Sequence, residues 1–234
     1  MDTRNSFVGP VGAMVTLVGT LSVVGPAWAG PPLVCHPVEI GSAKSLPWSG
    51  EGGFERDKSY DAKRLVDDVL DLLKPETEVI VRMETLRRAT IYARENGAVA
   101  SKLLSAVQAR VLDAEARGQS NGLYWFDAGY LTQCYAQDDM LSEWRGDGPA
   151  GYAWARKGSE LRGSDAEMDF ALALMTVHSK SPGKDWSKGS SHDEHLRKAV
   201  AGATEGSLLA KNLLTHLGDG HKTLADMKKQ VARR

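Results

Sequence analysis

From about residue 59 onward, apolar residues recur every three or four positions, which is the spacing of amphipathic α-helices. The clearest run is Val99, Leu103, Val107 and Val111, with charged residues on the opposite face. Capping residues, glycines and prolines divide this part of the chain into eight or nine helices with mostly short connections. The pattern therefore predicts an all-α domain over residues 58–234. We expect stacked antiparallel helical hairpins, either solenoid-like or a compact bundle.

A different pattern precedes the helices. Residues 30–57 are rich in proline and glycine and have no sustained helical period, which is typical of an extended segment. Ile40, Leu46 and Trp48 are apolar side chains spaced along it. We expect residues 30–57 to form an extended N-terminal arm that docks these side chains across the helices.

The first residues predict export. No charged residue occurs between Phe7 and Ala29, and the stretch ends in Ala27-Trp28-Ala29, a small-x-small cleavage pattern. This predicts a signal peptide over residues 1–29 and a periplasmic or extracellular protein with no stable membrane span after cleavage. Retention as a membrane anchor is the alternative, because the uncharged stretch approaches the ~20 residues that cross a bilayer. Pro10 and Pro26 shorten its apolar part, and no basic cluster follows it.

Charge and cysteine content exclude several classes of protein. The chain has 29 basic and 30 acidic residues, so we expect no nucleic-acid partner. Two cysteines are too few for a disulfide-dense scaffold or a cysteine-only zinc site. In an oxidising compartment Cys35 could form a disulfide with Cys134. Closing a loop of about 100 residues would stabilise the folded protein by ~4.7 kcal/mol. The alternative is that no bond forms and Cys134 is a small buried hydrophobe.

Three local strings carry a resemblance. They are CHPVEIGSAKSLPW from Cys35 to Trp48, VRMETLRRAT at 81–90 and GSLLAKN at 206–212. These segments resemble uncharacterised secreted helical proteins of bacteria, a likeness that implies an exported helical fold and brings no activity or catalytic residue with it. Similarity to tetratricopeptide repeats is architectural only, because Trp154 falls where the first helix of that repeat needs a small residue.

Aromatic side chains form one candidate binding surface. Tyr124, Trp125 and Tyr130 lie on one predicted helix, and Tyr152 and Trp154 lie on the next. They could line a groove for a protein or an envelope polymer, because tyrosine and tryptophan are frequent binding anchors. The alternative is that they belong to the helical core, with hydroxyl groups that find local partners.

A pair of histidines gives the competing candidate. His192 and His195 are three residues apart at a predicted helix start, a spacing that can place two imidazoles on one metal ion. The alternative is a solvated helix start, because Ser191 and Glu194 fit a capping box.

Phosphate-binding loops, nucleophile elbows and the His-Glu-x-x-His motif are absent from the sequence. We therefore expect an exported helical scaffold or binding module, with no cofactor and no assigned catalytic residue. A periplasmic metal-dependent hydrolase using His192 and His195 is the second hypothesis, so the sequence leaves open whether the protein is an enzyme.

Overall fold

A computed structural model describes residues 31–49, 54–138, 148–163, 165–177 and 192–233. The predicted signal peptide over residues 1–29 lies outside these residues. Within the described ranges the regular structure is helical and no strand occurs, which confirms the predicted all-α fold. The one strand-like pairing in those ranges is an antiparallel bridge between Trp48 and Arg56.

The described residues form ten α-helices and one 3-10 turn, Ala62–Arg64, which leads into the second helix. The helices are α1 (Pro32–Cys35), α2 (Leu65–Leu72), α3 (Val79–Ala93), α4 (Gly97–Ala116), α5 (Gly122–Gln137), α6 (Gly148–Arg162), α7 (Ala166–Thr176), α8 (His192–Gly202), α9 (Leu208–Leu217) and α10 (Leu224–Val231).

Short polar side chains begin several of the helices. The side chain of Asn96 accepts hydrogen bonds from the first N–H groups of α4, and Asn121 does the same for α5. At α7 the side chain of Asp165 accepts hydrogen bonds from the N–H groups of Glu167 and Met168. The side chain of Glu167 accepts from the N–H of Ile80 in α3 at 3.2 Å.

Helices α5 and α6 form an unusually close antiparallel pair. Glycines lie on both sides of their interface, at 122 and 129 in α5 and at 151 and 158 in α6. A Cβ atom on Gly129 would lie 2.3 Å from the backbone nitrogen of Ala155 and 2.5 Å from the carbonyl oxygen of Gly151. The two backbones therefore approach to a distance that only glycine allows.

The arm is part of the hydrophobic core. Its residues Leu33, Val34, Val38, Ile40 and Leu46 are each buried among the helices. The first turn, α1, lies beside the C-terminal end of α5, where the N–H of Leu33 donates to the side chain of Gln137 at 2.9 Å. The arm thus extends across the bundle and closes it on one side.

The predicted disulfide is not formed, and both Cys35 and Cys134 are thiols. Although α1 does lie beside α5, the sulfur of Cys134 is fully buried and hydrogen-bonds to Thr90 in α3. Burial raises the pKa of this thiol far above its ordinary value. Cys134 is therefore the small buried residue of the alternative interpretation.

In the described part of the chain, no helix combines the length and the hydropathy required to cross a lipid bilayer.

Candidate functional site

The five aromatic residues predicted to line a groove do not share one surface. Tyr130 is fully buried and Tyr152 is 4% exposed. Trp125 and Trp154 are half-buried and meet edge to face, with ring centroids 5.0 Å apart. Tyr124 lies beneath the guanidinium of Arg110, which is 4.1 Å from the ring centroid. Only Tyr124, Trp125 and Trp154 of this set reach the protein surface.

The predicted histidine pair is engaged in other contacts. His192 Nδ1 lies 2.9 Å from the carbonyl oxygen of Ala173. His195 Nδ1 lies 2.8 Å from the carboxylate of Asp169, and its Nε2 lies 2.9 Å from the hydroxyl of Tyr152. Over the described ranges no three histidine, cysteine, aspartate or glutamate side chains are placed to hold a metal ion. His192 and His195 thus form no metal site within these ranges.

Tyr152, His195 and Asp169 form a hydrogen-bonded chain across three helices, α6, α8 and α7. Its order of hydroxyl, imidazole and carboxylate is that of a hydrolytic triad. All three side chains are buried, at 4%, 3% and 5% exposure. When Nδ1–H of His195 donates to Asp169, its Nε2 accepts a hydrogen bond from the hydroxyl of Tyr152. Each of the three side chains then has a hydrogen-bond partner. Among the described residues, the arrangement joins three helices through buried side chains.

A second buried polar cluster lies where the arm crosses α3. Glu84 is 1% exposed and its two carboxylate oxygens accept four hydrogen bonds. Oε2 accepts from the N–H of Val38 at 2.9 Å and from Arg87 Nε at 2.7 Å. Oε1 accepts from Arg87 Nη2 at 2.9 Å and from Arg88 Nε at 2.7 Å. The buried negative charge is therefore paired with two cations and tied to the arm backbone.

The same two arginines hold the arm at other points. Arg87 donates to the carbonyl oxygen of Val34 at 3.1 Å, and Arg88 donates to that of Leu46 at 2.7 Å. Both guanidinium groups also lie over the ring of Trp48, at 5.2 and 5.4 Å from its centroid. The ring of Tyr92 meets Trp48 edge to face at 6.0 Å. Trp48 is thus held in one orientation at the edge of the bundle.

An open cleft of about 620 Å³ lies beside this tryptophan, and we call it the Trp48 cleft. It lies between the arm, α3 and α9, and its volume is in the range of small-molecule sites, roughly 300–1,000 Å³. Its walls are residues 37–41 of the arm, Trp48, Glu84, Arg88, Lys211, Asn212 and Thr215.

Helix α9 joins the arm at the Trp48 cleft through Asn212. The side chain of Asn212 accepts from the N–H of Glu39 and donates to the carbonyl oxygen of Glu39, both at 2.8 Å. This paired contact fixes the wall of the cleft to a helix 173 residues away in sequence.

A second cleft, of about 630 Å³, lies on the other side of the arm between residues 43–47 and α2. Tyr60 and Arg64 both contact the carboxylate of Asp68 in its wall, at 2.8 and 3.1 Å. Side chains of both charges line this cleft, including Lys44, Asp71, Lys74 and Glu76. Its charge gives no preference for one class of ligand.

Sequence reasoning selected Trp48 as a docking residue and did not select Glu84, Arg87 or Arg88. A signal for them exists, because a glutamate followed by arginines three and four residues later places opposite charges on one helix face. What the spacing does not reveal is that this face is buried beneath the arm.

Comparison of the chain with protein-family models, with curated proteins and with solved structures finds no match.

Proposed function

We propose that the protein is an exported, non-catalytic helical module that binds a segment of an envelope polymer in the Trp48 cleft. Export is supported by the signal-peptide pattern of residues 1–29. The observation that carries the proposed site is the fixed ring of Trp48 at the edge of an open cleft that also contains cationic side chains.

The chemistry of the cleft suits a hydrophilic polymer with anionic groups. An aromatic face provides a flat apolar contact, while arginine and lysine pair with carboxylates. Arg88 uses Nε and Nη1 for Glu84 and Leu46, and Nη2 has no partner among the described residues. Lys211 is exposed and its ammonium makes no ion pair in that part of the chain. Glu39 is also present, with one carboxylate oxygen accepting from the N–H of Gly41 at 2.8 Å.

The aromatic side chains selected from the sequence support this proposal less well. Tyr130 and Tyr152 have no exposed ring to offer, and Trp125 donates its indole N–H to Glu115 at 2.8 Å. The contacts of His195 do not favour the hydrolase alternative, because its two ring nitrogens contact Tyr152 and Asp169. Among the described residues no group of side chains is placed to hold a metal ion.

Co-sedimentation of the purified protein with purified bacterial cell-wall sacculi tests the proposed function. We expect Lys211→Glu to weaken binding about tenfold, the effect of losing one charged contact and adding a repulsive one. Lys102→Glu in α4 is the matched control, because Lys102 is exposed and distant from the cleft walls. Trp48→Ala reports on the aromatic wall, with Trp154→Ala as its control.

Binding that is lost in Trp154→Ala and retained in Lys211→Glu and Trp48→Ala would contradict the proposed cleft and favour the aromatic surface. If all variants sediment with sacculi as the wild type does, binding at the Trp48 cleft and binding at the aromatic surface are both contradicted.

A further inference from the structure

A pair of stacked histidines lies behind the Trp48 cleft, between the arm and α9. The rings of His36 and His216 are 6.0 Å apart at an interplanar angle of 14°. On its other side His216 meets the ring of Phe170 in α7, also at 6.0 Å. Neither ring nitrogen of His216 makes a hydrogen bond of good geometry within the described residues, although the backbone of Pro37 lies beside the ring. A positive charge on His216 would therefore enter a buried aromatic stack with little to stabilise it.

We propose that this histidine pair is an acid-sensitive latch, so that protonation of His216 releases the arm from α9 and removes the arm wall of the Trp48 cleft. The inference goes beyond the proposed function and does not depend on what the cleft binds. It rests on where the pair lies: His36 precedes the arm residues 37–41 that form one wall of the cleft, and His216 lies one turn beyond Asn212 on α9.

The charged and titratable groups around His216 favour its neutral form. The arm contributes His36 and the carbonyl oxygen of Pro37, α3 contributes Glu84 and Arg87, and α7 contributes the uncharged ring of Phe170. Burial is the largest effect and His36 the next, and together they lower the pKa of His216 to about 4. The backbone of Pro37 and the carboxylate of Glu84 oppose this, but that carboxylate is already paired with two arginines.

The direction of the pH effect follows from these surroundings. With the arm docked, His216 takes up a proton only near pH 4, whereas an exposed imidazole does so near 6.5. The fraction of molecules with an undocked arm therefore increases as the pH falls from about 6.5 to 4. Above pH 6.5 the protonation of His216 does not affect arm docking. A difference of this size corresponds to an arm-opening equilibrium that shifts by up to about 300-fold.

Hydrogen exchange of two arm amides measures the opening directly. The N–H of Val38 donates to Glu84, and the N–H of Glu39 donates to Asn212, so both are protected only while the arm is docked. In the wild-type protein we expect their protection factors, corrected for intrinsic exchange, to fall by up to about 300-fold between pH 7 and pH 4. The amide of Leu103 in α4 should keep its protection, which distinguishes arm release from global unfolding.

His216→Phe tests the assignment, because phenylalanine can stack on His36 and cannot be protonated. We expect this variant to be protected at pH 7 like the wild type and to keep its arm protection at pH 4, although Glu84 is still present. His221→Gln is the control histidine, since His221 contacts Gln230 away from the arm. Arm protection that persists in the wild type at pH 4, or that is lost equally in His216→Phe, would overturn the latch.

A measurement on the wild-type protein covers the case in which His216→Phe fails to dock the arm. The ¹⁵N chemical shifts of the His216 ring report its protonation. We expect the fall in Val38 and Glu39 protection to level off at the pH where these shifts have their midpoint. Protonation of His216 without any fall in the protection of the two amides would overturn the proposal.

Discussion

The close approach of α5 and α6 predicts that Gly129→Ala destabilises the protein strongly. In an ordinary helix interior this substitution stabilises by about 1 kcal/mol, because alanine has the higher helix propensity. Here the new methyl group would lie 2.3 Å from one backbone atom of α6 and 2.5 Å from another. Ordinary carbon contacts begin near 3.5 Å, so the two helix backbones would have to separate by about 1 Å.

The expected magnitude follows from that separation. Overpacked cores cost typically 1–3 kcal/mol and sometimes more, and at Gly129 the obstacle is backbone that cannot rotate away. We therefore start from the upper end of that range, about 3 kcal/mol, and subtracting the gain in propensity leaves a loss of about 2 kcal/mol in the free energy of unfolding. For a chain of this size that corresponds to a decrease in Tm of roughly 4–8 °C. Thermal unfolding followed by circular dichroism at 222 nm measures it.

Gly118→Ala is the control for adding a methyl group to a glycine. Gly118 has a φ of +66° and open space where its Cβ would lie. Its substitution therefore costs only the left-handed backbone strain, about 1–2 kcal/mol. A Gly129→Ala variant that melts at or above the wild-type temperature, or higher than Gly118→Ala, would refute the close approach of the two helices.

Three further predictions concern buried polar groups. Asp127→Ala strands the fully buried guanidinium of Arg82, whose Nη1 lies 2.6 Å from the carboxylate, and should lower the free energy of unfolding by about 3–5 kcal/mol in a urea titration. His195→Phe removes the centre of the chain across α6, α7 and α8 and leaves a buried carboxylate without its donor, so we expect a loss of about 1–3 kcal/mol by the same titration. Because burial raises its thiol pKa, Cys134 should resist alkylation in the native protein and react only in denaturant. The half-exposed Cys35 should react already in the native protein. Equal alkylation rates of the two thiols in the native protein would contradict their different burial.

The helices could be predicted well because their signals are local. The spacing of Val99, Leu103, Val107 and Val111 is a property of one segment. The last three side chains belong to the hydrophobic core, and Val99 is partly buried against it. The same holds for α5, which contains Tyr124, Trp125 and Tyr130 on one helix as the sequence predicts. The arm could also be located, because its prolines and glycines break the helical period and its apolar side chains need cover.

The candidate site depends on contacts between distant segments, and these the sequence does not determine. The Trp48 cleft requires that residues of the arm, α3 and α9 meet, and no spacing along the chain encodes that meeting. Helix α3 is also misleading, because four charged residues within it suggest an exposed face, yet Arg82, Glu84 and Arg87 are all buried. Their charges are tolerated only because each has an opposite charge or a backbone carbonyl within reach.

The paired contact between Asn212 and Glu39 has a consequence for the order in which the chain can complete its structure. Ribosomal synthesis delivers Glu39 long before Asn212, so the arm cannot acquire its α9 partner until nearly the whole polypeptide has emerged. Until then the backbone of Glu39 has no partner from α9, although the first turn of the arm can already lie beside α5. A nascent chain stopped before residue 208 should therefore stay open at this edge, whatever its earlier helices have already formed.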